Sequence, residues 1–238
     1  MPNSAFTFKH FNIKQDRCAM KVGTDAVLLG AWVQAPEATS ILDIGTGTGV
    51  IALMLAQKTK ANIIGIEIDL SSAMQAQENV LESPFHHQIK IIHHSLQEFT
   101  KISKIKFQLI VSNPPFFEQS LKSFDEKRSN ARHADVLPFE ELIESVLKLL
   151  DVKGKFCLIL PVIEAEKFRA LAQKKGLQLS KLLRIKSRAG KEFDKRHLMQ
   201  FEFSASEFSE DTLIIEEDER HNYTKEYKDF TKDYYVNF

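Results

Sequence analysis

The chain has 238 residues, 43% hydrophobic, 27% charged and 10% aromatic, which fits one large globular domain with elaborations and argues against extended disorder or a fibrous protein. Its 32 basic residues match its 32 acidic ones, so bulk charge excludes a protein that coats nucleic acid non-specifically and leaves only local patches open. Cys18 and Cys157 form neither a CxxC nor a zinc pattern, and neither a secretory core nor a membrane span of ~20 apolar residues is visible, so a reducing, cytoplasmic setting is expected.

Residues 1–39 precede any strong strand signal and are set apart as an N-terminal segment. From residue 40 onward, short apolar runs alternate with amphipathic ones. Ile41–Ile44 reads as a buried strand ending in a glycine-rich turn, with Val50–Lys58 as the following helix. Asn62–Ile68 is the second strand. Ser71–Leu81 is a helix that Ser71 or Ser72 can cap. Ile89–His93 and Phe107–Ser112 are the third and fourth strands. Leu121–Val136 is polar and too long for an ordinary connection, which marks a functional or mobile loop. Phe139–Leu150 is a helix stopped near Gly154, and Lys155–Leu160 a fifth strand ended by Pro161. Ile163–Lys175 is a helix closed by Gly176. Leu177–Lys186 and Met199–Ser204, with no helix between them, close the sheet as an antiparallel hairpin. The alternation predicts an α/β, Rossmann-like fold on a mostly parallel seven-stranded sheet.

The first strand runs into Asp43-Ile44-Gly45-Thr46-Gly47-Thr48-Gly49. Glycines at a strand-to-helix turn let a ligand approach the backbone, with helix N–H groups nearby. Glu67 ends the second strand, followed by Ile68, where a carboxylate can accept both ribose hydroxyls of an adenosine; Asp69 is the less favoured alternative. The spacing is GxGxG rather than the GxGxxG of dinucleotide folds. An acid at Asp43 suits a cationic amino-acid group and repels a pyrophosphate, which favours S-adenosylmethionine (SAM) over NAD.

The fourth strand leads directly into Asn113-Pro114-Pro115-Phe116. Strand carboxyl ends border the ligand crevice of an open α/β sheet, so this tetrapeptide should face the glycine turn. An exocyclic adenine amine is a poor nucleophile because its lone pair is delocalised into the ring. The Asn113 side-chain oxygen and the Pro114 carbonyl can accept its two N–H bonds and expose the lone pair. Pro114 and Pro115 fix the backbone, and Phe116 offers a face for a flipped-out base. Phe117 is read as ordinary packing. The sequential pairs His86-His87 and His93-His94 would point to opposite faces of a strand, so no metal site is expected.

DIGTGTG, IEID and NPPF together resemble the class I SAM-dependent amino methyltransferases. FTFKHFNIKQDRCAMKVGTDAVLLGAW, MLAQ, AQAQENV, VSNPPF, GKFCLILP and NYTKEYKDFTKDYYV resemble the bacterial tRNA1(Val) adenine-N6 methyltransferases over nearly the whole chain. The resemblance implies methylation of the adenosine next to a valine anticodon. It also implies that residues 1–39 cap the SAM site over a methyltransferase domain at 40–238, with Lys21, Gly23, Thr24 and Asp25 at the cofactor. Thr24 and Asp25 can equally cap the helix that follows, and Arg17 and Lys21 could contact either SAM or tRNA. Many relatives carry Asp where Ser95 stands here; Ser95 and the Leu96 N–H are expected at the adenine.

Basic residues crowd 167–196, with only Glu192 and Asp194 opposing them in sequence, and acidic ones crowd 207–219. The loop after NPPF adds Lys122, Arg128 and Arg132. Arg128, Arg132, Lys122 and Arg188 are the candidates for RNA contact. The competing readings are the same chemistry on a protein glutamine or another RNA base, a catalytically silent RNA- or nucleotide-binding module, and an NAD oxidoreductase. No obligate protein partner is visible.

Overall fold

The computed structural model describes residues 4–18, 20–34, 36–115, 137–191, 193–205 and 207–238. Phe116, Lys122, Arg128 and Arg132 lie outside the described residues.

The chain opens with a short antiparallel pair, β1 (Ala5–Thr7) and β2 (Asn12–Lys14), then helix α1 (Thr24–Trp32). The α/β alternation follows: β3 (Ser40–Ile44), α2 (Val50–Lys58), β4 (Asn62–Glu67), α3 (Leu70–Leu81), β5 (Ile89–His93), α4 (Leu96–Ile102) and β6 (Phe107–Ser112). Beyond the NPP exit come α5 (Phe139–Leu149), β7 (Leu150–Pro161), α6 (Val162–Lys174), β8 (Gln178–Arg188), β9 (Arg196–Glu202), β10 (Ser209–Glu216) and α7 (Lys225–Thr231). The main sheet has the order β10-β8-β9-β7-β6-β3-β4-β5. Only β9 runs antiparallel to its neighbours β7 and β8.

The seven expected strands are all present, in the expected mostly parallel arrangement with its antiparallel hairpin. An eighth, β10, extends the sheet by pairing parallel to β8. Its sequence, SEDTLIIE, is acidic and lacks strict alternation because it is an edge strand, buried only at Leu213. β7 starts at Leu150, well before Gly154, because Leu150 already pairs with Phe107.

Near-continuous apolar strands mean that both faces of the sheet are covered. One face packs Ile41, Leu109, Val111 and Ile159 against α1, α2 and the N-terminal hairpin. The other packs Leu42, Ile110, Leu158 and Phe201 against α4, α5 and α6. The two ends of the chain meet on the first face, where Phe8 stacks between Phe11 and Tyr235. Lys58, the last residue of α2, donates to the carbonyls of Gly30, Ala31 and Val33 at 2.7, 3.1 and 2.5 Å, capping α1. As expected, α6 closes at Gly176, which sits at φ +97°, with Leu177 N–H bonded back to Ala172 at 3.0 Å.

Candidate active site

Strand order changes direction at β3, which has β4 on one side and β6 on the other, so the crevice opens at their carboxyl ends. Ile44 is in register with Ile66 on β4 and with Ser112 on β6. Glu67, Gly45 and Asn113 therefore leave three adjacent strands at one level. At ~4.8 Å per strand spacing, the backbones of Glu67 and Asn113 stand about 10 Å apart across the glycine turn. The Ser112 hydroxyl donates to the Ile44 carbonyl at 3.0 Å and fixes the NPP exit to the glycine strand. Asn113 is half-buried, Pro114 buried and Pro115 exposed.

The turn needs its glycines, since Gly45, Gly47 and Gly49 have φ of +68°, +55° and +82°. A β-carbon on Gly45 or Gly47 would meet nothing within 4 Å, so their open faces form a cradle. The N–H groups of Gly45 and Thr46 both donate to the Ile66 carbonyl at 3.0 Å. Glu67 accepts the Gly47 N–H at 2.8 Å and the Asp69 N–H at 3.0 Å, so its carboxylate stands directly against the turn.

Asp69 takes a different role. It is the N-cap of α3, accepting from the Ser72 N–H at 2.8 Å, which corrects the expectation that Ser71 or Ser72 would cap. Ser95 likewise caps α4 in a capping box with Glu98; its hydroxyl accepts the Glu98 N–H and donates to Glu98 Oε2 at 2.8 Å. The signal was legible as Ser95-x-x-Glu98. The hydroxyl keeps a second acceptor lone pair, so it and the Leu96 N–H at the first helical position are the polar groups left for a ligand there.

Asp43 is fully buried. Its Oδ2 accepts the Thr46 hydroxyl at 2.6 Å, while Oδ1 has no hydrogen-bond partner. Burial pushes the carboxyl up to about 7, against the pull of the Thr46 hydroxyl. The Ala52 N–H pulls in the same direction without reaching hydrogen-bond geometry.

The N-terminal segment makes contacts on both sides of this crevice. Cys18 lies beside Ser72, Glu67 and Asp69; burial raises its thiol pKa, and the two carboxylates add to the rise. Asp25 accepts from Arg196 Nε at 2.9 Å, and Arg196 is level with Pro161 at the end of β7. Cys18 is thus on the Glu67 side of the crevice, and Asp25 is held by the Arg196 side chain on the other. Residues 20–25 lead from the first of these contacts to the second and form a strap. Lys21, Gly23 and Thr24 are exposed on this strap. Gly23, not Thr24 or Asp25, is the N-cap of α1, because the helix already begins at Thr24; the Asp25 carboxylate is held by Arg196 instead.

Two buried polar residues were missed from sequence. Asn79 donates to the carbonyls of Thr48 and Lys14, both at 2.9 Å, and accepts the Lys14 N–H at 2.9 Å. Gln75 accepts the Arg17 N–H at 2.9 Å. Their signal was two amides four residues apart on the buried face of an amphipathic helix. Together they tie the strap to the glycine turn. Arg17 itself is ion-paired with Glu78.

The basic stretch is far less free than its sequence suggests. β10 brings Glu210 against Arg184 and Glu216 to 3.5 Å from Arg188; Asp194 also holds Arg184, at 3.0 Å. Arg188 is thus engaged within the sheet. No group of three His, Cys, Asp or Glu suited to a metal occurs among the described residues, and no helix there is long and apolar enough to cross a membrane.

The fold and the site define a class I SAM-dependent methyltransferase. The family model described as "Methyltransferase small domain" matches residues 18–160. Among solved structures, an Agrobacterium tumefaciens protein described as a predicted O-methyltransferase aligns with TM-score 0.68 at 20% identity, covering 88% of this chain and 96% of that one. A glycopeptide N-methyltransferase, MtfA, in complex with SAM aligns with TM-score 0.57 at 12% identity over 79% and 96% of the two chains. These likenesses concern the fold.

The full chain is more specific. It is 45% identical over 237 residues, all of both chains, to the tRNA1(Val) (adenine(37)-N6)-methyltransferase of Phocaeicola vulgatus. It is 46% identical to the enzyme of that name from Flavobacterium johnsoniae, over 97% of this chain and 99% of that one. The chain belongs to the tRNA1(Val) (adenine(37)-N6)-methyltransferase family.

SAM fits the residues present. Asp43 offers a buried carboxylate oxygen to a cationic amino-acid group, the glycine cradle admits a close ligand, Glu67 stands at the ribose position, and the Ile68 side chain is 62% exposed as an apolar wall.

Proposed function

We propose that this chain methylates the exocyclic N6 amine of an adenosine in tRNA, namely adenosine 37 of tRNA1(Val), in the cytoplasm. The observation that carries the reading is the level placement of Glu67, Gly45 and Asn113 on three adjacent strands, in a chain related to its family over its whole length.

When bound, SAM supplies a methyl group already activated on a sulfonium sulfur. Asp43, Gly45, Gly47, Gly49, Glu67, Ile68, the Ser95 hydroxyl and the Leu96 N–H bind it from the sheet, and Lys21, Gly23, Thr24 and Asp25 from the strap. The Asn113 side-chain oxygen accepts one N–H of the amine and the Pro114 carbonyl accepts the other. These two acceptors draw the nitrogen toward tetrahedral geometry and aim its lone pair. Pro115 holds that carbonyl in place, and Phe116 stacks the base. Asn113 carries no charge at any working pH, so no tuned base is required; the extra proton becomes acidic as the new N–C bond forms and leaves to water. Positioning supplies most of the rate. Lys122, Arg128 and Arg132 supply phosphate contacts.

The test is to incubate total tRNA from a deletion strain with the enzyme and labelled SAM, then map the product by mass spectrometry. N6-methyladenosine at position 37 of the valine tRNA is expected. Methyl incorporation elsewhere, or only into protein, overturns the reading. Asn113→Ala should abolish transfer with SAM affinity within about twofold; full turnover by that variant contradicts the role given to Asn113.

A further inference from the structure

The β8–β9 hairpin stands beyond the level of the reacting residues. Ser112 is in register with Leu158, Leu158 with Met199, and Met199 with Leu182. Residues between Leu182 and Met199 therefore project past the point where Asn113 leaves the sheet. From Leu182 to Arg188 the arm advances about 20 Å at ~3.3 Å per residue. β10 pairs along this arm from Lys181 to Arg188, which makes it a braced sheet edge.

The returning limb is anchored as well. Asp194 is bonded to Arg184 at 3.0 Å and to His197 at 3.2 Å, and the Lys195 N–H donates to the Ile185 carbonyl at 2.7 Å. Phe193, next to that anchor, is nevertheless 79% exposed. Lys191 and Lys195 are exposed around it, and neither meets an acid within ion-pair distance among the described residues. Arg184 and Arg188 on the arm are neutralised by Glu210 and Glu216, whereas the lysines of the arm and of its tip meet no acid within ion-pair distance among the described residues.

We infer that this tip is an RNA-contacting finger, in which Phe193 stacks on an unpaired base of the substrate tRNA and Lys191 and Lys195 contact its phosphates. The inference rests on the reading of the chain as a tRNA methyltransferase. An exposed aromatic ring between lysines suits single-stranded nucleic acid, where every base offers a π-face and every linkage a phosphate. A protein-binding hot spot would set the ring among apolar residues and arginine, because lysine is depleted there. The stacked base is not the one being methylated, because the tip lies two to three strand spacings, about 10–14 Å, across the sheet from Asn113 and further along it.

The experiment compares the full-length protein with Phe193→Ala, Phe193→Trp and the double variant Lys191→Gln/Lys195→Gln, using the tRNA transcript as acceptor. Phe193→Ala should raise the KM for tRNA about 5- to 100-fold, with kcat and calorimetric SAM affinity unchanged. Phe193→Trp, which keeps a stacking face, should restore it. The double variant should reduce the slope of log tRNA affinity against log salt by about 1.4. An unchanged tRNA KM in Phe193→Ala, a Phe193→Trp variant as weak as Phe193→Ala, or a change in sedimenting mass instead of in KM overturns the finger. Failure of the unaltered enzyme to methylate tRNA is the separate outcome that overturns the underlying function.

Discussion

Replacing Asp43 by Asn removes a carboxylate that the fold buries completely and whose pKa burial drives from 3.8 to about 7. The folded protein therefore keeps this proton to higher pH than the unfolded chain does. Stability from the group is complete below about 3.8 and is lost as pH rises to about 7. The charged form costs about 4 kcal/mol in full, at ~1.4 kcal/mol per pH unit. About 3 kcal/mol of that change falls between pH 5 and pH 8. Asn does not titrate, so the stability of Asp43→Asn relative to the unaltered protein should rise by about 3 kcal/mol over that interval, whatever constant offset the amide brings. For a chain of this size that is a swing of about 6–12 °C in Tm. The assay is thermal unfolding without ligand, in buffers of matched ionic strength from pH 5 to pH 8. The same variant should bind SAM more weakly by calorimetry, because the carboxylate is kept for a cationic group. A Tm difference that stays constant across the interval refutes the argument that burial dominates at Asp43.

Three further outcomes follow from the same geometry. Asp25→Asn and Arg196→Gln, made singly and together, should show a coupling of about 1–3 kcal/mol in urea unfolding, the range for a hydrogen bond between charged groups; additive losses would mean the 2.9 Å contact carries no weight. Ser95→Ala should cost about 1 kcal/mol, or 2–4 °C in Tm, through the lost cap of α4, and an unchanged Tm would remove the capping role. Glu67→Ala should weaken SAM binding about 10- to 100-fold by calorimetry, whereas Asp69→Ala should chiefly destabilise α3; the reverse pattern would give the ribose to Asp69.

The chemistry was legible because it is written in contiguous stretches. Asp43 and the glycines, Glu67, and Asn113-Pro114-Pro115 each end an apolar strand, and parallel βαβ order puts strand ends on one edge of a sheet. The long-range ties were not legible. Nothing local pairs Asp25 with Arg196, or sets Asn79 against Thr48 and Lys14, because those contacts join elements far apart in the chain. The caps show how local competition is settled: Asp69 displaced Ser71 and Ser72 because it lies one step before the helix, where a side-chain oxygen reaches the free N–H groups.

Charge divides along the same line. Sequence alone determined that 32 basic residues cancel 32 acidic ones, and that the two signs are segregated along the chain. Only the tertiary structure decided what the segregation does. The acidic stretch returns as β10 beside β8, so Glu210 and Glu216 neutralise Arg184 and Arg188 in the sheet. Lys191 and Lys195, on the limb that returns from β8, meet no such acid among the described residues and flank Phe193. An edge strand that sets two acids against two arginines leaves the free charge of a diffuse basic run to its lysines.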